Sequence, residues 1–227
     1  MLSSWEVPFD SVDVAAEPGA RAELERLGVP AVPAVVLGNT VVHGWNPSAV
    51  AELVGIRYVP GERLSPGALA ERLDLVLAAA CRLVATVEPK HLTLRHPGRD
   101  RSLHQLAYHL FRVGLSVRDA MFERRLPSTW FGEMAPAGLR DGPAIAGYGQ
   151  AVRAGLRAWL RADDAIAGTV ETYYGPQTGH ELLERTTWHA LQHLRQIHAL
   201  LEEAGAPPHE PLDPALLERL PLPRSIW

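Results

Sequence analysis

The chain has 227 residues, 47% of them hydrophobic and 21% charged, with a formal net charge of -4. Such proportions build a buried core without disulfides and argue against disorder outside the ends. Lys and Arg are scattered, which leaves no footprint for nucleic acid, and a charged residue interrupts every Leu/Ala-rich run before the ~18 apolar residues of a membrane span.

Neither nucleic acid nor membrane is therefore an expected partner. Met1 to Pro8 lacks a basic stretch followed by an apolar one, so the expected location is cytoplasmic. The first fifty-odd residues alternate short strand and helix signals. Phe9 to Val14 reads as a strand and Gly19 to Leu27 as a helix. Ala34–Leu37 and Thr40–Val42 read as a hairpin around Gly38-Asn39, followed by a helix from Pro47 to Val54. Residues 1–56 thus form a small α/β segment, and 57–64, with Pro60 and Gly61, a linker.

From Ser65 the pattern turns helical. Ser65-Pro66 is an N-cap with proline in the first turn, and Leu69, Leu73, Val76, Ala80 and Leu83 recur at helical spacing as far as about Val87. Cys81, the single cysteine, lies in this run. It has no partner for a disulfide or a Cys-x-x-Cys pair, and its surroundings suit a small buried hydrophobe. Ser102 and Gln105 form a capping box for a second helix, with Leu106, Leu110, Val113 and Val117 on one line to about Glu123. Pro143 opens a third helix, with Ile145, Tyr148, Val152, Leu156 and Trp159 on one side and an end near Asp163. Thr178 and Glu181 cap a fourth, which Gly205 and Pro207-Pro208 stop, giving about 180–204. Connections at about 88–101 and 125–142 are too long for tight turns, so residues 65–205 read as a four-helix bundle with long crossovers. The tail, 206–227, is proline-rich. It carries a short helix from Asp213-Pro214 to Leu220, and Ile226-Trp227 are expected to pack back onto the bundle.

The candidate chemistry lies on the fourth helix. Residues four apart share a helical face, so His189 and His193 can aim ring nitrogens at one point, as a divalent ion requires. With 10 histidines in the chain, the spacing alone is not specific. Position discriminates better. Leu183, Ala190, Leu194, Ile197 and Leu201 make an apolar seam. The neighbouring line runs Leu182, Thr186, His189, His193, Gln196, Leu200, with polar groups between leucines. In a bundle interior these polar groups need a shared partner, since each unsatisfied one costs on the order of 1 to 3 kcal/mol. A metal ion with a water is one such partner; a wet groove with ordinary histidines is the other reading. The second helix offers His104, in its first turn, and His109, at mid-helix beside the apolar line. His109 is the chosen third ligand. His43, His91, His96, His180, His198 and His209 are expected to be solvated.

These residues carry a resemblance. Leu103-His-Gln-Leu-Ala-Tyr-His109 and Glu184-Arg-Thr-Thr-Trp-His-Ala-Leu-Gln-His-Leu-Arg-Gln196 resemble the DinB/YfiT-like metal-binding four-helix bundle superfamily over about 65–205. The resemblance places that family's metal histidines on His109, His189 and His193, with Gln196 completing the His-x-x-x-His-x-x-Gln of the last helix. The family includes mycothiol-dependent maleylpyruvate isomerases and bacillithiol transferases. The start of the chain resembles the later two-thirds of a glutaredoxin, with a thioredoxin-like fold. Phe9-Asp-Ser-Val-Asp-Val14, Gly28-Val-Pro-Ala-Val-Pro33 and Gly44-Trp-Asn-Pro47 carry this, and Pro33 falls on the family's cis-proline. The Cys-x-x-Cys and the first strand have no counterpart here, so disulfide reduction is not expected. An incomplete sheet exposes strand edges and makes a homodimer plausible.

Together the expectation is a mainly α protein holding one divalent metal, zinc or nickel, on three imidazoles with a vacant fourth position. Gln196 would orient a ligand or water, and Trp130, Phe131 and Trp188 either wall the pocket or belong to the aromatic core. The expected activity is a metal-dependent S-transferase or isomerase that uses a low-molecular-weight thiol on a small-molecule substrate. The alternatives are a non-enzymatic, metal-stabilised binding or stress-response module and a metal-dependent hydrolase.

Overall fold

In the computed structural model, residues 2–227 are described except 13, 15, 16, 30, 31, 45, 58–62, 98, 224 and 225. Most of the expected linker thus lies outside the described residues. The chain divides into two compact units, Met1–Gly61 with Tyr173–Gly175, and Glu62–Thr172 with Pro176–Trp227.

In the first unit, α1 (Ala20–Arg26) ends where Gly28 takes a positive φ of 69°, the conformation that stops a helix at little steric cost. Strands β1 (Ala34–Leu37) and β2 (Thr40–His43) pair antiparallel about Gly38-Asn39, with Val35 opposite Val42. Helix α2 (Pro47–Leu53) follows, its first turn capped by the Asn46 side chain, which accepts from Ala49 N at 3.1 Å. Val50 and Ala51 are buried. The Val32–Pro33 peptide is cis, and the Pro33 carbonyl accepts from Gly44 N at 2.8 Å. The strand expected at Phe9 to Val14 is not formed. Residues 9–12 are irregular, Val14 is in a turn, and residue 13 is not among the described ones. Among the described residues the sheet here has two strands, and neither takes this segment as a partner. Phe9 and Val12 accordingly stay 51% and 53% exposed.

The second unit is a helix bundle. Helices α3 (Pro66–Ala85), α4 (Leu103–Glu123), α5 (Gly142–Trp159) and α6 (Gly179–Glu203) match the four helical lines of the sequence. Leu69, Leu73, Val76, Ala80 and Leu83 on α3 are buried, as are Leu106, Leu110, Val113 and Val117 on α4. On α6 the seam Leu183, Ala190, Leu194, Ile197, Leu201 is buried throughout. Helix α3 packs chiefly on α5 and α6, and α4 on α6 and α5. Consecutive helices α3 and α4 are therefore largely diagonal, which is why a long crossover joins them. Cys81 is 2% exposed, and loss of solvent pushes its thiol up to about 11, so it is a packed, protonated core residue.

Three features were not foreseen in the sequence. Strands β3 (Arg125–Leu126), β4 (Thr169–Thr172) and β5 (Gly175–Thr178) form a small sheet in the order β3-β4-β5, with β3 and β4 parallel. Strands of two to four residues are too short to show a period. Helix α5 stops at Trp159, and the expected tail helix is a single 3-10 turn, Pro214–Leu216. There Arg72 Nη1 donates to the Leu216 and Glu218 carbonyls at 2.8 and 3.0 Å, which takes those acceptors away from a continuing helix.

Close helix contacts depend on absent side chains. A Cβ on Gly142 would sit 2.2 Å from the Val84 carbonyl oxygen, and one on Gly149 would lie 2.5 Å from the ring of buried Phe111. The first obstacle is backbone and cannot rotate away. Gly142→Ala should therefore cost about 2 kcal/mol and lower Tm by on the order of 5 °C, measured by thermal denaturation. Gly147→Ala, whose Cβ would meet nothing within 4 Å, is the control that should not lower it.

Candidate metal centre

Helix α6 begins with a complete capping box. Thr178 Oγ1 accepts from Glu181 N at 3.3 Å, while the Glu181 carboxylate accepts from Thr178 N at 2.9 Å. This fixes the start of the helix and the phase of every residue along it. One face is the apolar seam. The next presents Thr186, His189 and His193, of which Thr186 and His193 are 1% and 9% exposed.

Helix α4 packs against this face and brings His109, 3% exposed, to the pair. The His109 ring centroid lies 4.8 Å from that of His193 and 6.1 Å from that of His189, and the His189 and His193 rings are 4.7 Å apart. One nitrogen from each ring can be chosen so that all three lie within 4.8 Å of one another. Two nitrogens held ~2.1 Å from one ion are at most ~4.2 Å apart, so small side-chain rotations close the set around a metal. Among the described residues this is the one such cluster of His, Cys, Asp or Glu.

The donor chemistry suits an ion. Among the described residues, His189 Nδ1, His193 Nε2 and Thr186 Oγ1 are buried without a hydrogen-bond partner. A buried imidazole nitrogen with nothing to bond is costly, and a cation there would relieve it. His193 is also oriented from behind, because its Nδ1–H donates to Gln196 Oε1 at 2.8 Å. Such an outer hydrogen bond is the usual companion of a metal-bound imidazole. Loss of solvent holds all three rings neutral: His109 falls from 6.5 to about 2, His193 to about 4, and His189 lies well below its ordinary value. The positive charge of Arg101 adds to the depression at each of them. Neutral imidazole is the form that ligates.

The walls are partly as expected. Phe131 lies 6.1 Å from the His109 ring and 5.8 Å from His189, and Trp188 lies 5.6 Å from His189. Trp130 carries the Arg112 guanidinium 5.5 Å over its ring and packs against the core. Gln196 bonds to His193, itself one of the three candidate ligands, and so takes an orienting position behind the triad. The arginines were missed, because position on the chain does not show which guanidiniums fold toward a site. Arg185, a turn before His189 on α6, lies 5.6 Å over Phe131, and Arg101 donates to the Phe131 carbonyl at 2.5 Å.

Several other histidines are less solvated than expected. His198 is 9% exposed on α6. His180 and His104 are half-buried, with Nε2 2.9 Å from the Leu64 carbonyl and 2.5 Å from the Leu139 carbonyl respectively. His96 stacks on Trp227 with ring centroids 4.1 Å apart, and His43 and His91 are half-buried. Of the six, His209 is the one that is exposed.

The sequence profile of the DinB superfamily matches residues 56–197, and that of glutaredoxin matches residues 1–42. No curated protein matches the chain significantly. Among solved structures, a DinB-like protein of Bacillus subtilis, YjoA, aligns with a TM-score of 0.50 at 14% identity, covering 64% of this chain and 94% of its own. That likeness is one of fold. With a matching profile over more than half its length and the bundle to go with it, the chain belongs to the DinB superfamily.

Proposed function

We propose that the protein is a metal-dependent enzyme that brings a low-molecular-weight thiol to an electrophilic small molecule, as an S-transferase or a thiol-assisted isomerase. His109, His189 and His193 would hold the ion, zinc or nickel. The observation that carries the reading is the pair of buried nitrogens, His189 Nδ1 and His193 Nε2, with no hydrogen-bond partner among the described residues, on rings that cluster with a third imidazole. Three protein ligands leave a tetrahedral ion one vacant position, the mark of a catalytic rather than a closed site. An ion bound there would supply deprotonation of a coordinating thiol or water.

The surrounding residues favour an anion. Arg101 lowers the proton affinity of all three histidines, with Arg185 acting on His189 and Arg112 on His109. The same positive field would stabilise a thiolate relative to its thiol. The thiolate sulfur would then form a bond to the electrophilic carbon, a leaving group would depart with its electron pair, and the thiol proton would pass to solvent. Phe131 and Trp188 would keep bulk water off the sulfur. The glutaredoxin match over residues 1–42 supports a thiol, though without a Cys-x-x-Cys it offers no redox pair.

The burial of His109 and His193, 3% and 9% exposed, also suits an ion that only holds the bundle together. Protein purified without added metal should carry about one ion per chain by elemental analysis. His193→Ala should weaken metal retention by more than the ~10–100-fold typical of losing an outer partner, and should abolish thiol consumption across a panel of electrophiles. Metal present without any thiol consumption, and a His193→Ala variant altered only in Tm, would instead support the structural ion. Hydrolysis lost on chelation with no thiol requirement would point to a hydrolase.

The neutral histidines also fix a pH dependence. Their ordinary value is 6.5, against about 4 for His193 and about 2 for His109 in the fold. As pH falls, the unfolded chain takes up these protons first, so their contribution is complete above about pH 6.5 and is lost toward pH 4 and below. Thermal denaturation of metal-free protein should show Tm falling over that window, with a shallower slope for His109→Gln.

A further inference from the structure

Helix α6 meets residues near the end of the tail through a connected set of hydrogen bonds. Gln196 Nε2 donates to the Ile226 carbonyl at 2.9 Å, and Gln192 Nε2 donates to the same oxygen at 2.7 Å. One turn along, Arg195 Nη1 donates to the Pro223 carbonyl at 2.9 Å and to Gln192 Oε1 at 2.6 Å. Beside Ile226, Trp227 stacks on His96 with planes 18° apart. His96 belongs to the crossover that leads into α4.

The chemistry of a primary amide gives this connection a direction. An amide has a donating end and an accepting end, and the Ile226 carbonyl can only accept. It therefore holds Gln196 Nε2 toward itself and turns Oε1 toward His193. Oε1 can only accept, so the proton of His193 must sit on Nδ1, and the lone pair is left on Nε2, which is buried with no hydrogen-bond partner among the described residues. A free glutamine could flip and offer its NH2 to His193, which would leave the ring protonated on Nε2 and unable to ligate.

We propose that Pro223, Ile226 and Trp227 form a clamp on α6 that fixes the Gln196 amide and, through it, the tautomer of His193. Gln196 and Trp227 are thus positioning residues for the triad, acting at one and two removes from the ring. The tautomer follows from the hydrogen bonds alone; the consequence for metal affinity rests on the reading of the triad as a metal centre.

Two measurements on the full chain separate these layers. Long-range 15N–1H correlation of metal-free protein reads the His193 tautomer directly, and competition with a chromophoric chelator reads zinc affinity. Wild type should show the Nδ1–H form, and Trp227→Ala, which releases the stack but leaves the bundle core intact, should give a mixture of tautomers. Zinc affinity should fall about tenfold in Trp227→Ala and about 10–100-fold in Gln196→Leu. The double variant should be no weaker than Gln196→Leu, since both act through the same amide, and Trp227→Phe should restore the stack and the affinity. An unchanged tautomer with affinity within about twofold of wild type in Trp227→Ala, or losses that multiply in the double variant, would overturn the clamp. Wild-type protein that shows the Nδ1–H form yet takes up no zinc would overturn the metal reading and leave the tautomer lock standing.

Discussion

Three imidazoles, two buried and one half-buried, set among leucines and aromatic rings, fix the terms for the second unit. Each carries a nitrogen lone pair that water would satisfy at the surface, and at His189 and His193 no described residue takes its place. Folding tolerates such a cost where function needs it. Protonation would not relieve it, because removal from solvent and the neighbouring guanidinium of Arg101 both oppose a positive ring. What remains is a neutral, electron-donating cluster that could hold a cation.

The rest of the bundle serves that placement. Helices α4 and α6 are not consecutive, yet they pack along their lengths and put residue 109 opposite residues 189 and 193. The diagonal course from α3 to α4 makes room for this, at the expense of a long crossover. Elsewhere the helices are held close by contacts that permit little change, such as Gly142 against the Val84 carbonyl. A bidentate ion pair, Arg153 to Asp74 at 2.6 and 2.9 Å, joins α5 to α3 on the side where both are partly shielded. Rigid neighbours of this kind keep the imidazoles within an ångström-scale window, which ligation requires.

Much of this was legible in the residues. Ser65, Ser102 and Thr178 marked three helix starts, and all three side chains accept from the backbone as caps do. The line Thr186, His189, His193 stood out because leucines flanked polar groups, a pattern that periodicity resolves well. His109 could be preferred to His104 from its mid-helix position, and the structure shows why: His104 is engaged with the Leu139 carbonyl instead. What could not be read depended on distant chain segments meeting. The arginines around Phe131, the burial of His198, the two-residue strand Arg125–Leu126 and the hold of Ile226 on Gln192 and Gln196 all arise from tertiary contacts without a local period. The strand expected at Phe9 to Val14 failed for the converse reason: its alternation was local, but among the described residues the β1-β2 hairpin pairs only with itself.

The central claim is that His109, His189 and His193 share one ion and leave it a vacant position. X-ray absorption at the edge of the bound metal, recorded with and without a small thiol, tests both halves together. The account predicts three imidazole nitrogens at ~2.0–2.1 Å and one further light atom, with the light atom replaced by sulfur at ~2.3 Å once thiol is added. An ion bound by four protein ligands and indifferent to thiol, or one with fewer than three imidazoles, would contradict it.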